Sequence, residues 1–357
     1  LSKCYTQRLG SIETFQIDTG LNEHIIENIL KMKKTLLSED MSHWRLEGDP
    51  PADAVIKEIV EKEGGQYVRS LMKYLSDFKQ LDFKNHNQYF KKFYEEHAKI
   101  PANYNKKEVI RATDMYLHHQ QTIGMVLGCF SLPYCYLGED GARVLCMSER
   151  IGNDTYNRLM ETGNFLRKVM NYDHWQNGQI FDIAFKVRML HAIIRYFTIH
   201  SGKWDMKWGM PINQEDMAGT NIAFSLIVVR GLLKMGVTVD EQSERAYLTT
   251  WAYVGELLGV NPALLVNDIK SAVRLDKMIA QRQFRSSESG HQLTESLMNC
   301  YAEMSGSQLA SEFFRAQSRF FMGHEHADML GIPTTRFPMS LLNAFNKSTS
   351  FLTNIYA

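Results

Sequence analysis

The sequence predicts an all-α protein, a single large helical domain within 357 residues. Apolar residues recur every three or four positions, no segment alternates as a half-buried strand would, and only 8 prolines interrupt the chain. Asp49 followed by Pro50 and Pro51 starts the first clear helix. An aspartate there accepts from the free N–H groups of the first turn, and a proline inside that turn gives up no intrahelical bond. Val55, Ile56, Ile59 and Val60 then share a face, and Gly64-Gly65 closes the helix. Further helices are expected over 104–130, 155–170, 181–199 and 214–235. Thr238 with Glu241 fits a capping box for another, which turns Tyr247, Trp251, Val254 and Leu258 inward and ends at Gly259. The last spans 292–321, broken near Gly306. No repeat or Gly/Ser-rich linker is present. Residues 1–42 read as an N-terminal helical appendage, 43–335 as the main helical domain, and 336–357 as a docking tail.

Composition narrows the function. Lys+Arg and Asp+Glu both number 40, so no basic excess points to a nucleic-acid or anionic-membrane partner. The 5 cysteines are odd in number and never form CxxC, which argues against a disulfide framework or a structural zinc site. Free thiols in a reducing compartment follow. With no export signal visible, the expected location is cytoplasmic. The longest strongly apolar run, 222–229, is too short to span a bilayer and ends at Arg230.

One segment carries more chemistry than the rest: Val187-Arg188-Met189-Leu190-His191-Ala192-Ile193-Ile194-Arg195. It places a histidine beside an apolar helical stripe, with an arginine one turn before and another one turn after. A buried imidazole needs a partner, because an unpaired buried polar group costs roughly 1–3 kcal/mol. It can bind a metal through one nitrogen while the other donates a hydrogen bond, and haem iron is often held by one such axial histidine. The arginines can then pair with carboxylates such as haem propionates. Spacing alone nevertheless favours a core histidine satisfied by protein groups.

A second candidate is the helix over 155–170, capped by Asp154 or Thr155, where Arg158, Thr162, Leu166 and Val169 fall in line. An arginine on an apolar face must be paired or snorkel outward, and Gly163 in mid-helix costs about 1 kcal/mol relative to alanine. Close approach of a flat ligand and an ordinary helix contact are both open. In Trp208-Gly209-Met210-Pro211-Ile212-Asn213-Gln214-Glu215-Asp216, Asn213 can cap the next helix. Glu215 and Asp216 suit its positive N-terminus better than they suit a catalytic role.

Other chemistries find little support. Among 12 histidines only Glu288-Ser-Gly-His291 has the Glu-x-x-His spacing of a di-iron carboxylate site, and it lies in a Ser/Gly-rich stretch read as loop. His324 and His326 straddle different faces and read as exposed loop residues, and His118-His119 is ambiguous. There is no GxSxG, Walker A, HExxH or GxGxxG pattern.

Six segments taken in order resemble one family. They are Gly48-Asp49-Pro50 with Ala52-Asp53, Arg158-Leu159-x-x-Thr162, the His191 segment through Arg195, and Gly209-x-Pro211-Ile212-Asn213-Gln214-Glu215-Asp216. Trp251-x-x-Val254-Gly255-x-Leu257-Leu258-Gly259 and Leu330-Gly331-Ile332-Pro333 complete the set. The family unites the rubber-cleaving latex clearing proteins with the fungal mycophenolic-acid pathway oxygenase. The resemblance implies a globin-like helical core holding haem b, and oxygenase chemistry on a carbon–carbon double bond. It places His191 at the proximal iron ligand, Arg158 and Thr162 at the distal-side pair, and Arg188 one turn before the ligand. Where the rubber-cleaving proteins carry a lysine before the threonine, this chain has Glu161. The expectation is a haem-dependent oxygenase taking a hydrophobic, alkene-containing small molecule and dioxygen, with Arg188 and Arg195 anchoring the propionates. The alternative is a non-catalytic haem- or lipid-binding protein of the same fold.

Overall fold

The computed structural model describes residues 41–76, 88–147 and 155–355. Residues 1–40 of the expected 1–42 appendage, Cys4 and the Asp154 cap lie outside these residues. Ser42–Ala357 forms one compact unit. Among the described residues the structure is helical without strands, apart from an isolated bridge between Gly138 and Phe284.

Asp49 caps α1 (Pro50–Glu63) by accepting from the backbone N–H of Ala52, as the Asp-Pro-Pro start predicts. Then come α2 (Gly65–Ser76), α3 (Gln88–His97) and α4 (Lys106–Val126), the last capped by the Asn105 side chain. The 104–130 expectation is therefore a helix that runs into a π turn at Leu127–Ser131 and continues as α5 (Leu132–Tyr136). Next are α6 (Glu139–Met147), α7 (Thr155–Val169), α8 (Tyr172–Gln176) and the long α9 (Gln179–Ile199).

The 214–235 helix is really two, α10 (Gln214–Phe224) and α11 (Leu226–Lys234), separated at Ser225. Its hydroxyl donates to the Asn221 carbonyl at 2.7 Å, a back-bond that competes with the helical ladder. Composition and length alone would allow Gln214–Lys234 to cross a membrane, but the stretch is mostly buried inside the protein.

In α12 (Glu241–Leu257) the cap is Asp240, which accepts from Ser243, rather than Thr238 with Glu241. Tyr247, Trp251 and Val254 are buried as predicted, while Leu258 stays half-exposed. The chain ends with α13 (Ile269–Gln283), α14 (Glu288–Ser305), α15 (Gln308–Met329) and α16 (Met339–Ile355). The break at Gly306 is present, and Gly323 adds a second one inside α15.

Two bodies of packing position the site. In the first, one side of α9 (Phe185, Met189, Ala192, Ile193) meets Ile56 and Ile59 of α1, Val68 and Leu75 of α2, and Phe90 and Phe93 of α3. In the second, α12 packs along α4. Helix α9 also touches α7 and α12, so it sits between the two bodies.

Candidate functional site

The side of α9 opposite that core carries Val187, Leu190, His191 and Ile194, all only partly buried. These positions recur at helical spacing, so they form one stripe with the imidazole along its edge. His191 Nδ1 is shielded from solvent and has no hydrogen-bond partner among the described residues. Burial first, and the nearby Arg195 charge second, push the His191 pKa down to about 4, against a smaller opposing effect of Asp49. The ring is thus neutral at pH 7, the form in which an imidazole can act as a metal ligand. His119 Nδ1 on α4 is likewise buried without a partner among the described residues; what sets His191 apart is its place on the half-buried stripe between two arginines.

The flanking arginines are held by the protein. Arg188 forms a bidentate pair with Asp49, Nε to Oδ2 at 2.5 Å and Nη2 to Oδ1 at 2.8 Å, with its guanidinium over the Phe93 ring. Arg195 donates from Nε to Asp53 Oδ1 at 2.7 Å and from Nη1 to the Ile212 carbonyl at 2.9 Å. Its Nη2 is buried without a partner among the described residues. The pairing of Asp49 and Asp53 with these arginines was missed at the level of sequence. The available signal was two acids one turn apart at a helix start, matching two arginines on a largely apolar helix.

On neighbouring α7, Arg158, Glu161, Thr162 and Phe165 are half-buried, and Leu166 and Val169 are buried. The predicted Arg158–Val169 line therefore runs from a partly open end to a closed one. Arg158 acts on Tyr136 and Cys146, opposing the burial that raises both of their pKa values. Further along, Phe165 meets Trp251 of α12, whose Nε1 is buried without a partner among the described residues.

Glu215 and Asp216 serve structure. Asn213 caps α10 by accepting from Asp216 N–H at 2.9 Å. The buried Glu215 receives Arg282 Nε at 2.8 Å and Gln283 Nε2 at 3.0 Å. Asp216 takes Arg45 Nη1 at 2.9 Å, and Arg45 Nη2 reaches the Trp208 carbonyl at 2.6 Å. For Asp216 this matches the preferred sequence reading, a residue fixing the helix start and its loop, whereas Glu215 ties α10 to the end of α13.

Three histidines read as loop residues lie on helices, with His324 exposed as expected. Glu288 and His291 lie on the first turn of α14 rather than in a loop, because Ser287 caps that helix. His291 Nε2 lies 2.9 Å from the Met329 carbonyl. His324 is exposed and His326 packs against Tyr134 and Phe284, both on α15 beyond its break. His119 is buried on α4, and burial drives its pKa down to about 4.

Among the described residues, no three His, Cys, Asp or Glu side chains converge to hold a metal. A lone neutral imidazole on a half-buried apolar stripe is the kind of donor that suits a metal bringing its own macrocycle. A surface groove of about 520 Å³ runs between α1 and α3, lined by Val55, Tyr89, Lys92 and Phe93 among others, and touches none of the predicted site residues.

Comparison with known proteins adds three findings. Residues 138–347 match the family model described as ER-bound oxygenase mpaB/B'/rubber oxygenase, catalytic domain. A rubber oxygenase of Streptomyces sp. (strain K30) is 28% identical over 185 residues, which is 51% of this chain and 45% of that protein. The chain thus spans about half the length of the curated relative it matches. The structure of latex clearing protein in its closed state superposes with a TM-score of 0.72 at 21% identity, covering 88% of this chain and 84% of that one. The two share an all-α fold.

Proposed function

This chain belongs to the mpaB/rubber oxygenase catalytic-domain family, and from that premise we propose that it is a haem b-dependent oxygenase. Its substrate would be a hydrophobic, alkene-containing (isoprenoid-like) small molecule, with dioxygen as co-substrate and His191 as the proximal iron ligand. The observation that carries this reading is the neutral imidazole with an unpartnered nitrogen on a half-open apolar face.

Haem supplies the oxygen chemistry when bound. The protein's part is binding, orientation and polarity. Val187, Leu190 and Ile194 offer the macrocycle an apolar surface that keeps water away. Arg158 and Thr162 are the donors offered from α7 where negative charge develops. Arg195 would meet a propionate through Nη2, the one of its nitrogens without a partner among the described residues. Arg188 contributes its charge while Asp49 occupies its fork.

A non-catalytic haem- or lipid-binding protein of the same fold is the second reading, and Glu161 favours it. A carboxylate cannot replace the lysine of the rubber-cleaving proteins as a cationic donor.

The test is protein made with adequate haem supply, examined by absorption spectroscopy and by oxygen uptake with a polyunsaturated terpenoid. Uptake with carbonyl cleavage products supports the oxygenase; haem binding without turnover overturns it in favour of the carrier.

A further inference from the structure

The two arginines that bracket His191 are gripped by a single short piece of chain. Asp49 and Asp53 stand at the start of α1, one turn apart, and meet arginines that lie about 140 positions away. The grip is double-ended. Asp53 Oδ1 takes Arg195, while Oδ2 accepts from Asp49 N–H at 3.0 Å. Asp49 takes Arg188 with both oxygens and still caps α1 through Ala52 N–H.

The surrounding backbone is built to let this pair of ion pairs close. A Cβ at Gly48 would lie 2.7 Å from Asp53 Oδ2 and 2.9 Å from Arg195 Cδ. A Cβ at Gly259 would collide with Asp49 Oδ2, and Gly259 also sits at φ +84°, which L side chains rarely adopt. The Gln214 amide ties these two glycines together, donating to the Gly48 carbonyl at 2.6 Å and to the Gly259 carbonyl at 3.0 Å. Ile212, whose carbonyl receives Arg195 Nη1, is held at φ +50°, an outlier for a β-branched residue. Such strain persists only where neighbours over-determine the backbone, and it clusters at ligand clamps.

Resting on the reading of His191 as haem ligand, we infer that Asp49 and Asp53 are positioning residues of the haem site. Acting through Arg188 and Arg195, they lock the stretch of α9 that presents the imidazole. Asp53 and the Ile212 carbonyl together occupy two of the three Arg195 nitrogens, which leaves Nη2 for an anionic group of the cofactor. Gln214, Gly48 and Gly259 keep the clamp dry and tight.

The experiment uses haem-loaded full chain and reads haem release to excess apomyoglobin together with the ferrous iron–histidine stretching band. Asp53→Asn, the milder change because Asp53 is partly exposed, is expected to speed haem release on the order of 10- to 100-fold, as outer-shell changes at metal sites do, and to shift the band. Asp53→Glu restores most of both. Asp49→Asn shows the same signature more strongly. Asp276→Asn is the control, since it breaks the buried Arg230–Asp276 pair away from the clamp; it lowers unfolding stability and leaves the band in place. Unchanged release and an unshifted band in Asp53→Asn and Asp49→Asn overturn the clamp while His191→Ala still abolishes the Soret spectrum. If His191→Ala itself keeps the wild-type spectrum, the ligand reading fails and takes the clamp with it.

Discussion

Helices α9 and α7 carry the residues on the two sides of the proposed site, and they are secured in opposite ways. The core side of α9 is packed against three helices, and its arginines are tied to Asp49, Asp53 and Ile212. Helix α7 leaves Arg158, Thr162 and Phe165 half-exposed, and among the described residues Arg158 has no ion pair. The difference assigns rigidity to the side proposed to hold the metal ligand and adaptability to the side proposed to admit a substrate. A ligand helix gains from over-determination, because a small misplacement of the imidazole alters the metal. A substrate-facing helix gains from groups whose positions are settled only when the pocket fills.

Breaking the α9 side gives the largest effect on stability. Arg188→Ala strands the Asp49 carboxylate, which is 2% exposed, and is expected to cost about 3–5 kcal/mol in urea unfolding. Equal stability in wild type and variant would show that the pair is not needed to hold α1 on α9.

The next effect is a pH dependence of the apo-protein. A histidine titrates near 6.5 when unfolded and His191 at about 4 when folded, so below pH 6.5 the unfolded chain takes up the proton first. His191 therefore costs nothing above pH 6.5. It withdraws stability progressively down to about pH 4, about 3 kcal/mol in all. His119, also near 4, adds a similar slope. His191→Phe is expected to remove only its own share, and denaturation midpoints between pH 7 and 4 measure it. An unaltered slope in that variant would mean that the imidazole is not held neutral by burial.

The smallest stability effect belongs to α7. Arg158→Ala and Thr162→Ala are expected to change unfolding free energy by no more than about 1 kcal/mol. They are also expected to lower oxygen uptake on the order of 100-fold. A loss of stability comparable with Arg188→Ala would make α7 a structural helix and erase the contrast with α9.

How much of this was legible follows the range of the physics involved. Helical periodicity, the Asp49 and Asn213 caps and the buried face of α12 depend on residues within a turn or two, so the local pattern revealed them. The His191 stripe was legible for the same reason. Errors came where two local signals competed. Asp240 outcompetes Thr238 as a cap, the Ser225 hydroxyl divides an apolar stretch that reads as continuous, and Ser287 turns an expected loop into a helix start.

The amino-acid order established an all-α chain, most of its helices, and the few side chains able to do chemistry, because a helix is specified by neighbours close in sequence. Folding settled which charges meet. Arg188 and Asp49 are 139 positions apart, and Arg45 and Asp216 are 171. Such pairs depend on which helices pack together and which buried groups desolvate one another, and no short-range pattern encodes that. The same cause explains why Glu215 joins Arg282 and Gln283, and why one nitrogen of Arg195 is left unpartnered beside two that are held.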